Sequence, residues 1–425
     1  MTVSLLFALG AMMLGFCLVS RRLERTAVTG PMVFVVFGAL LSPRGLGWFA
    51  LEIPEPVIHL LAEVTLALIL FGDAARIDLS ALRQGYGLPL RLLLIGMPLT
   101  IGLGLLIGWL LFPQLALWEL AVLATILAPT DAALGQAVVS SSAVPMRIRQ
   151  ALNVESGLND GIALPVLTIF ISLALATQGG ASGEHARSAM GWILFTLGQI
   201  GLGPAVGAGV AFLCGKLLLH VSNRGWINDS HERLVGLAVA VLAYTGAQLV
   251  GGNGFIAAFV AGLTFGNISR DFCRSVYEFL EAEAQLLMLM VFLVLGFSFA
   301  WPALEESSAA MWLYAALSLT LARLLPVAVS LSGARLRWST VAFLGWFGPR
   351  GLASVVFALL VISESGLTHA HTIASVALLT VTLSTFAHGL TAAPGARAYG
   401  RSVEGMEDHE SEMKAVGEHP TRHSP

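Results

Sequence analysis

Charge is what this chain has least of: Lys, Arg, Asp and Glu together make up 12% of 425 residues, while hydrophobic residues make up 56%. A soluble domain of ordinary composition carries about a quarter charged residues, so the chain cannot clothe a water-facing globule of this length. Its mean hydropathy of +0.81 agrees. Lys and Arg number 23 against 26 acidic residues and form no basic stripe, so no nucleic-acid partner is expected. The three cysteines have no metal-ligand spacing and are odd in number, and Cys17 and Cys214 lie in apolar segments, so all three read as packing residues. Basic residues are also missing ahead of the first apolar segment, residues 3–19, whereas Arg21, Arg22 and Arg25 follow it. That order is the reverse of a secretory signal, and the segment is expected to stay as a first helix. Short alternating segments of the kind that build a membrane barrel are absent as well.

What the chain has instead is a series of continuous Leu/Ala-rich runs of near-spanning length, reaching to about residue 395. They predict an all-α polytopic membrane protein with about thirteen transmembrane helices: 3–20, 27–42, 57–76, 87–112, 116–140, 149–177, 190–219, 232–250, 253–268, 278–300, 309–332, 338–362 and 371–395. Cytoplasmic loops collect Lys and Arg. With the N-terminus outside, nineteen of the 23 basic residues fall on the inner side, only Arg44 and Arg187 fall outside, and Arg323 and Arg350 remain within helices. An odd number of helices with a cytoplasmic C-terminus follows. Residues 1–397 are expected to form the membrane unit, and the polar residues 398–425 a short disordered cytoplasmic tail.

Residues 153–161, Asn-Val-Glu-Ser-Gly-Leu-Asn-Asp-Gly, place two carboxylates in the sixth of these helices. An ionisable group at membrane depth costs a few kcal/mol or more and faces a partner, a cavity or an ion. Side chains four positions apart share a helix face, so Glu155 and Asn159 lie on one stripe and Ser156 and Asp160 on the next. The first stripe suits a structural partner such as a buried arginine. The second offers hard oxygen ligands for a small cation or a proton.

Pro129-Thr130-Asp131 interrupts the fifth helix near its middle, and residues 346–351, Trp-Phe-Gly-Pro-Arg-Gly, interrupt the twelfth. Proline removes a backbone donor and disfavours helix before it. If helices 1–6 and 8–13 are two copies, the two breaks occupy equivalent places, and paired broken helices mark an inverted-repeat transport site. The competing reading is a pair of simple kinks, with Asp131 capping a half-helix. Arg323 stands in the eleventh helix away from both loops, so Glu155 and Arg323 are natural partners, with Arg350 as the rival. Asp73, near the inner end of the third helix, either lines a cytoplasmic funnel or marks the interface with Arg76 and Asp78. Glu278, Glu281 and Glu283 open the tenth helix, where they suit its N-terminal dipole. The small residues Gly251, Gly252, Gly254, Ala257, Ala258, Ala261 and Gly262 suit a tight turn and close packing of helices eight and nine.

With Ala-Pro-Thr-Asp at 128–131, Glu-Ser-Gly-Leu-Asn-Asp at 155–160, Gly-Asn-Gly-Phe at 252–255, Arg323-Leu-Leu-Pro and Gly-Pro-Arg-Gly at 348–351 in this order, the chain resembles the monovalent cation:proton antiporters. It is most similar to the sodium/proton exchanger branch with an Asn-Asp pair, the bacterial NhaP-like members. The resemblance implies a thirteen-helix fold of two inverted six-helix repeats with crossed discontinuous helices 5 and 12, and a homodimer in which a dimerisation part flanks a moving core. It implies that Asp160 binds cation or proton, with Asp131, Ser156 and the Thr130 main-chain carbonyl nearby and Asn159 in support. Asp160, Asp131 and Ser156 would then be the ligands of a transported Na⁺. It further implies that Asp73 lines the ion path and that Glu155 pairs with the arginine of the eleventh helix, Arg350 remaining a core charge. No cofactor is implied beyond the transported ions. Partners would be monovalent cations, protons and the lipid of a bacterial inner membrane.

A carboxylate that must shed its proton before taking Na⁺ makes the two substrates compete. A site open to either side in turn then exchanges one for the other, with no enzymatic chemistry. Asparagine at 159, where electrogenic relatives have a second aspartate, favours one proton per cation and electroneutral exchange. A K⁺/H⁺ antiporter is the first alternative, since selectivity depends on cavity size and ligand number. A passive cation channel uses the same ligands. An intramembrane aspartyl protease would use Asp131 and Asp160 as its dyad, but its Gly-x-Gly-Asp signature is absent.

Overall fold

The computed structural model describes residues 2–23, 26–47, 53–77, 87–131, 134–178, 189–268, 273–364, 366–404, 406 and 411–413. Arg25, Asp78, Arg83, Arg187, Arg270, Lys414 and Arg422, and with them the tail beyond 413, lie outside the described residues. The chain folds as α1 (Thr2–Leu23), α2 (Gly30–Leu41), α3 (Glu55–Ala75), α4 (Gly87–Leu111), α5 (Leu117–Ile126), α6 (Gln136–Val139), α7 (Met146–Thr177), α8 (Ala189–Ser222), α9 (Asp229–Leu249), α10 (Gly254–Ile268), α11 (Cys273–Val294, continuing to Glu305), α12 (Ala309–Ser330), α13 (Trp338–Trp346), α14 (Leu352–Glu364) and α15 (Ala370–Val403). No strand occurs among the described residues. Taking α5 with α6 and α13 with α14 as interrupted helices, these are thirteen segments in the expected order. Helix starts follow local chemistry: Pro31 stands in the first turn of α2, Asn228 accepts from the His231 N–H at the start of α9, and Ser308 does the same for Met311 in α12.

Several boundaries differ from expectation. α2 begins only at Gly30, because Thr29 is held extended before it. α11 begins at Cys273, so Glu278 lies in its second turn and does not open the helix. A break at Thr320 divides α12 and puts Arg323 in the first turn of the second piece. α15 runs through Ala396 and Tyr399, both buried, to Val403, so the segment from 398 onward starts as helix and not as a loose tail. Beyond it, the buried Glu412 accepts from the Arg337 N–H at 2.7 Å and from the Thr340 hydroxyl at 3.0 Å, and Arg147 Nη1 donates to the Ser411 carbonyl. Cys17 and Cys214 carry free thiols, and Cys17 lies exposed on α1, not packed inside.

Two groups of helices form. α2, α3, α8, α9, α10 and α11 pack as a frame, and α4 to α7 with α12 to α15 pack as a core group. The frame is held by small residues. A Cβ on Gly266 would overlap the Ala75 carbonyl, one on Gly262 the Phe71 carbonyl, and one on Gly207 the Ala257 carbonyl. α10 therefore lies backbone to backbone against both α3 and α8, the close approach that stands in for hydrophobic driving force within lipid. Phe71, Ala243, Ala261 and Phe265 fill the space between. Large apolar side chains such as Leu18, Leu213 and Leu249 stand exposed on the outside, where a bilayer replaces water as solvent. α7, α14 and α15 carry the seam between the groups: α7 and α14 touch α3 of the frame, α7 also touches α8 and α10, and α15 touches α2 and α11.

Candidate functional site

The two interruptions meet in the core group. α5 stops at Ile126, and the irregular stretch that follows presents the carbonyls of Ala128 and Pro129. Arg350, from the opposite interruption and wholly buried, donates from Nη1 to both, at 2.7 and 3.0 Å. In return, the Asp131 N–H donates to the Pro349 carbonyl at 2.8 Å, and Asp131 Oδ2 accepts from the Leu352 N–H, at the first residue of α14, at 3.0 Å. A cation thus faces the C-terminal end of α5 and an anion the N-terminal end of α14, the favourable sense of both helix dipoles. Gly351 is required here, because a side chain would run into the Asp131 carboxylate. The Ser354 hydroxyl donates to the Ile126 carbonyl at 2.6 Å, and the Arg350 N–H donates to the Ser384 hydroxyl at 2.7 Å. Seven of the backbone groups at the two breaks, the Ile126, Ala128, Pro129 and Pro349 carbonyls and the Asp131, Arg350 and Leu352 N–H groups, are therefore satisfied within the protein, as an irregular stretch in lipid requires.

α7 runs beside this crossing. Its Ser156 hydroxyl donates to the Thr130 carbonyl at 2.9 Å, and its Asn159 Nδ2 donates to the Thr130 hydroxyl at 2.7 Å. Asp160, one turn beyond Ser156, is 8% exposed, while Asn159 is 2% exposed. Thr130, Asp131, Ser156, Leu152, Phe347 and Pro349 line a cavity of about 10 Å³, the scale of a single water molecule. Asn159, Ser156, Thr130 and Asp131 are thus gathered into one buried cluster, and Asp160 lies buried on α7 one turn beyond Ser156. Asn159 turns to Thr130 and not to the arginine side with Glu155, so the separation into two stripes does not survive folding.

Glu155 meets Arg323. The guanidinium binds both carboxylate oxygens, Nη1 to Oε1 at 2.6 Å and Nη2 to Oε2 at 2.8 Å, with both side chains 3% exposed. Arg350 is not its hydrogen-bond partner, being engaged with the carbonyls of the first break. The ion pair clamps α7 to the second piece of α12 behind the cluster. Asp73 approaches from the frame: a Cβ on Gly157 would lie 3.8 Å from the Asp73 Cβ, so α3 brings this carboxylate beside α7 one turn before Asp160. Among the described residues no three His, Cys, Asp or Glu side chains form a metal-holding group.

Sequence reasoning missed Glu119. This residue is 1% exposed, and its carboxylate accepts from the Ala116 N–H, the Gln178 side chain and the His369 N–H at 3.0, 3.0 and 3.1 Å, with His369 Nδ1 at 2.9 Å. One carboxylate thereby ties the start of α5, the end of α7 and the start of α15. Its signal was present, a Glu three residues into a helix after a turn. Ser384 and His388 on α15, buried beside Arg350 and Trp346, carried no such signal.

Comparison with known proteins agrees with this architecture. The family described as sodium/hydrogen exchanger, transmembrane, matches residues 7–398. A K⁺/H⁺ antiporter NhaP of Alkalimonas amylolytica is 27% identical over 373 residues, covering 86% of this chain and 62% of that protein. A K⁺/H⁺ antiporter NhaP2 of Shewanella oneidensis is 25% identical over 408 residues, covering 93% and 67%. The chain thus spans about two thirds or less of the length of these relatives. The solved structure of the sodium proton antiporter MjNhaP1 from Methanocaldococcus jannaschii superposes with a TM-score of 0.71 at 20% identity, over 94% of this chain and 99% of that one. The fold is that of two inverted six-helix repeats with crossed discontinuous helices, and the chain belongs to the sodium/hydrogen exchanger family.

Proposed function

We propose that this chain is a secondary transporter and not an enzyme, exchanging Na⁺ or Li⁺ for H⁺ by alternating access, with cation and proton competing for Asp160. The observation that carries this reading is the buried cluster of Thr130, Ser156 and Asn159 at the crossing of two interrupted helices, with the buried Asp160 one helical turn beyond Ser156, the arrangement that marks a transport site at the bilayer midplane. Asp160 takes either ion. Ser156 and the Thr130 carbonyl supply neutral oxygens beside it, and Asn159 fixes the Thr130 hydroxyl. Asp131 lines the cavity and holds the second interrupted helix by its cap, so it serves the site by position as well as by charge. Asp73 guides ions along α3, while Glu155, Arg323 and Arg350 keep the core in register.

One ionisable carboxylate on the Asn-Asp pair supports one proton per cation and an electroneutral cycle. The membrane unit is read as 1–397, with the segment from 398 onward on the cytoplasmic side and the N-terminus outside. The setting is a bacterial inner membrane, and a homodimer joined through the frame is the assembly the family favours. The test is proton movement in proteoliposomes on adding Na⁺, Li⁺ or K⁺ in turn, with Asp160→Asn beside wild type. A cation-driven pH change lost in the variant is expected; a variant with full exchange, or currents driven by voltage in wild type, would overturn the site or the stoichiometry. A second reading, K⁺ as the cation, is favoured by the names of the two bacterial relatives. The same experiment decides it by which cation moves protons.

A further inference from the structure

Gly161 follows Asp160 directly. A Cβ built on it would lie 2.7 Å from both Cδ2 and Cε2 of Phe259 and 2.9 Å from its Cγ, so the ring fills the space where any side chain would start. Phe259 belongs to α10 in the frame, and Gly161 to α7 in the core group. Four residues earlier on the same face of α7, Gly157 lies against Asp73 of α3. Asp160 flanks that face, with a carboxylate-bearing helix toward the N-terminal end of α7 and an aromatic ring toward its C-terminal end. The cavity lined by Leu152 and Ser156 lies between α7 and the two interruptions, and Phe259 is not among the residues that line it.

The two sides of this contact are not equivalent. α10 is fixed to α3 and α8 by backbone contacts at Gly262, Gly266 and Gly207, so the ring is presented by a rigid part of the molecule. α7 meets the frame at this seam through glycines, which offer a smooth surface. An apolar ring over a polar site excludes water and a hydrated ion without binding either, which is how hydrophobic constrictions close ion paths.

The geometry points to Phe259 as the seal on one side of the Asp160 site: seated on Gly161, its ring closes the seam toward the C-terminal end of α7, and exchange requires α7 to slide off it. The seal rests on the reading of Asp160 as the ion-binding carboxylate. In the orientation proposed above, the closed side is the external one.

The test uses purified protein in proteoliposomes holding an imposed pH gradient and no alkali cation. Phe259→Ala is expected to dissipate the gradient about fivefold faster than wild type or more, a leak that loss of packing alone would not produce in protein that elutes and melts as wild type does. Wild-type tightness in that variant overturns the seal. Gly161→Ala is expected to slow self-exchange of labelled Na⁺ or Rb⁺ roughly tenfold or more, since small misplacements in such sites are costly. Adding Phe259→Ala is expected to restore it, and no restoration overturns the proposal. If Phe259→Ala fails to fold, Phe259→Leu alone and with Gly161→Ala takes its place in both assays, with the same readings. The excess leak is expected to vanish in Phe259→Ala/Asp160→Asn. A leak that survives there removes Asp160 as the proton carrier while leaving the seal in place, so the two readings fail separately.

Discussion

At the first interruption Ala128 and Pro129 offer bare carbonyls and Asp131 a carboxylate; at the second, Arg350 offers a guanidinium and Leu352 a bare N–H. Both breaks are set by a proline, yet their charges are opposite, and each supplies what the other lacks. The difference teaches why the breaks occur as a pair. Alone, either one would leave freed backbone groups and a charge in an apolar interior; crossed, they leave a stretch of Thr130 backbone and side chain available to α7. The Glu155–Arg323 pair stands outside this exchange. It is the strut that holds α7 against the crossing.

Substitutions at three places, the strut and the two sides of the crossing, sharpen the comparison. The largest effect is expected at the strut: Arg323→Met leaves the Glu155 carboxylate buried without its cation, a loss of about 3–5 kcal/mol. Arg323→Met with Glu155→Met is expected to recover much of that stability, read by thermal melting in detergent. If the single and double variants melt alike, the pair is no strut. Next comes Arg350→Met, which strips two buried carbonyls of their donor at roughly 1–3 kcal/mol each. Lower protein yield together with lost exchange is the expected result, and a variant that transports normally would show that the first break needs no cation. The smallest effect is expected at Asp131→Asn, where an oxygen remains to cap Leu352 and about 1 kcal/mol of charge–dipole and capping stability is lost. Asp131→Ala should melt lower than Asp131→Asn. The reverse order would show that the carboxylate does not act as a cap.

Hydropathy was enough to read the number and order of the helices, because a helix that crosses a bilayer needs a long apolar run. The carboxylates of α7 were legible for the same reason, since charge at membrane depth demands an explanation. The two prolines marked the breaks, because proline cannot donate within a helix. Long-range pairing was beyond the sequence. Glu155 had two arginine candidates and only packing selected Arg323; helix spacing put Asn159 with Glu155, but the approach of Thr130 drew it to the other side. The competing reading made Asp131 a cap for its own half-helix, whereas the half-helix it caps is α14 of the other repeat. Glu119 and Phe259 were overlooked because nothing local shows that one carboxylate ties three helix ends, or that a ring from α10 lies on Gly161. Periodicity and composition act within one helix, and they determined the helices and their polar residues. Which break crosses which, and which side chain packs on which glycine, depends on contacts between residues tens to hundreds of positions apart, and only the tertiary structure decided those.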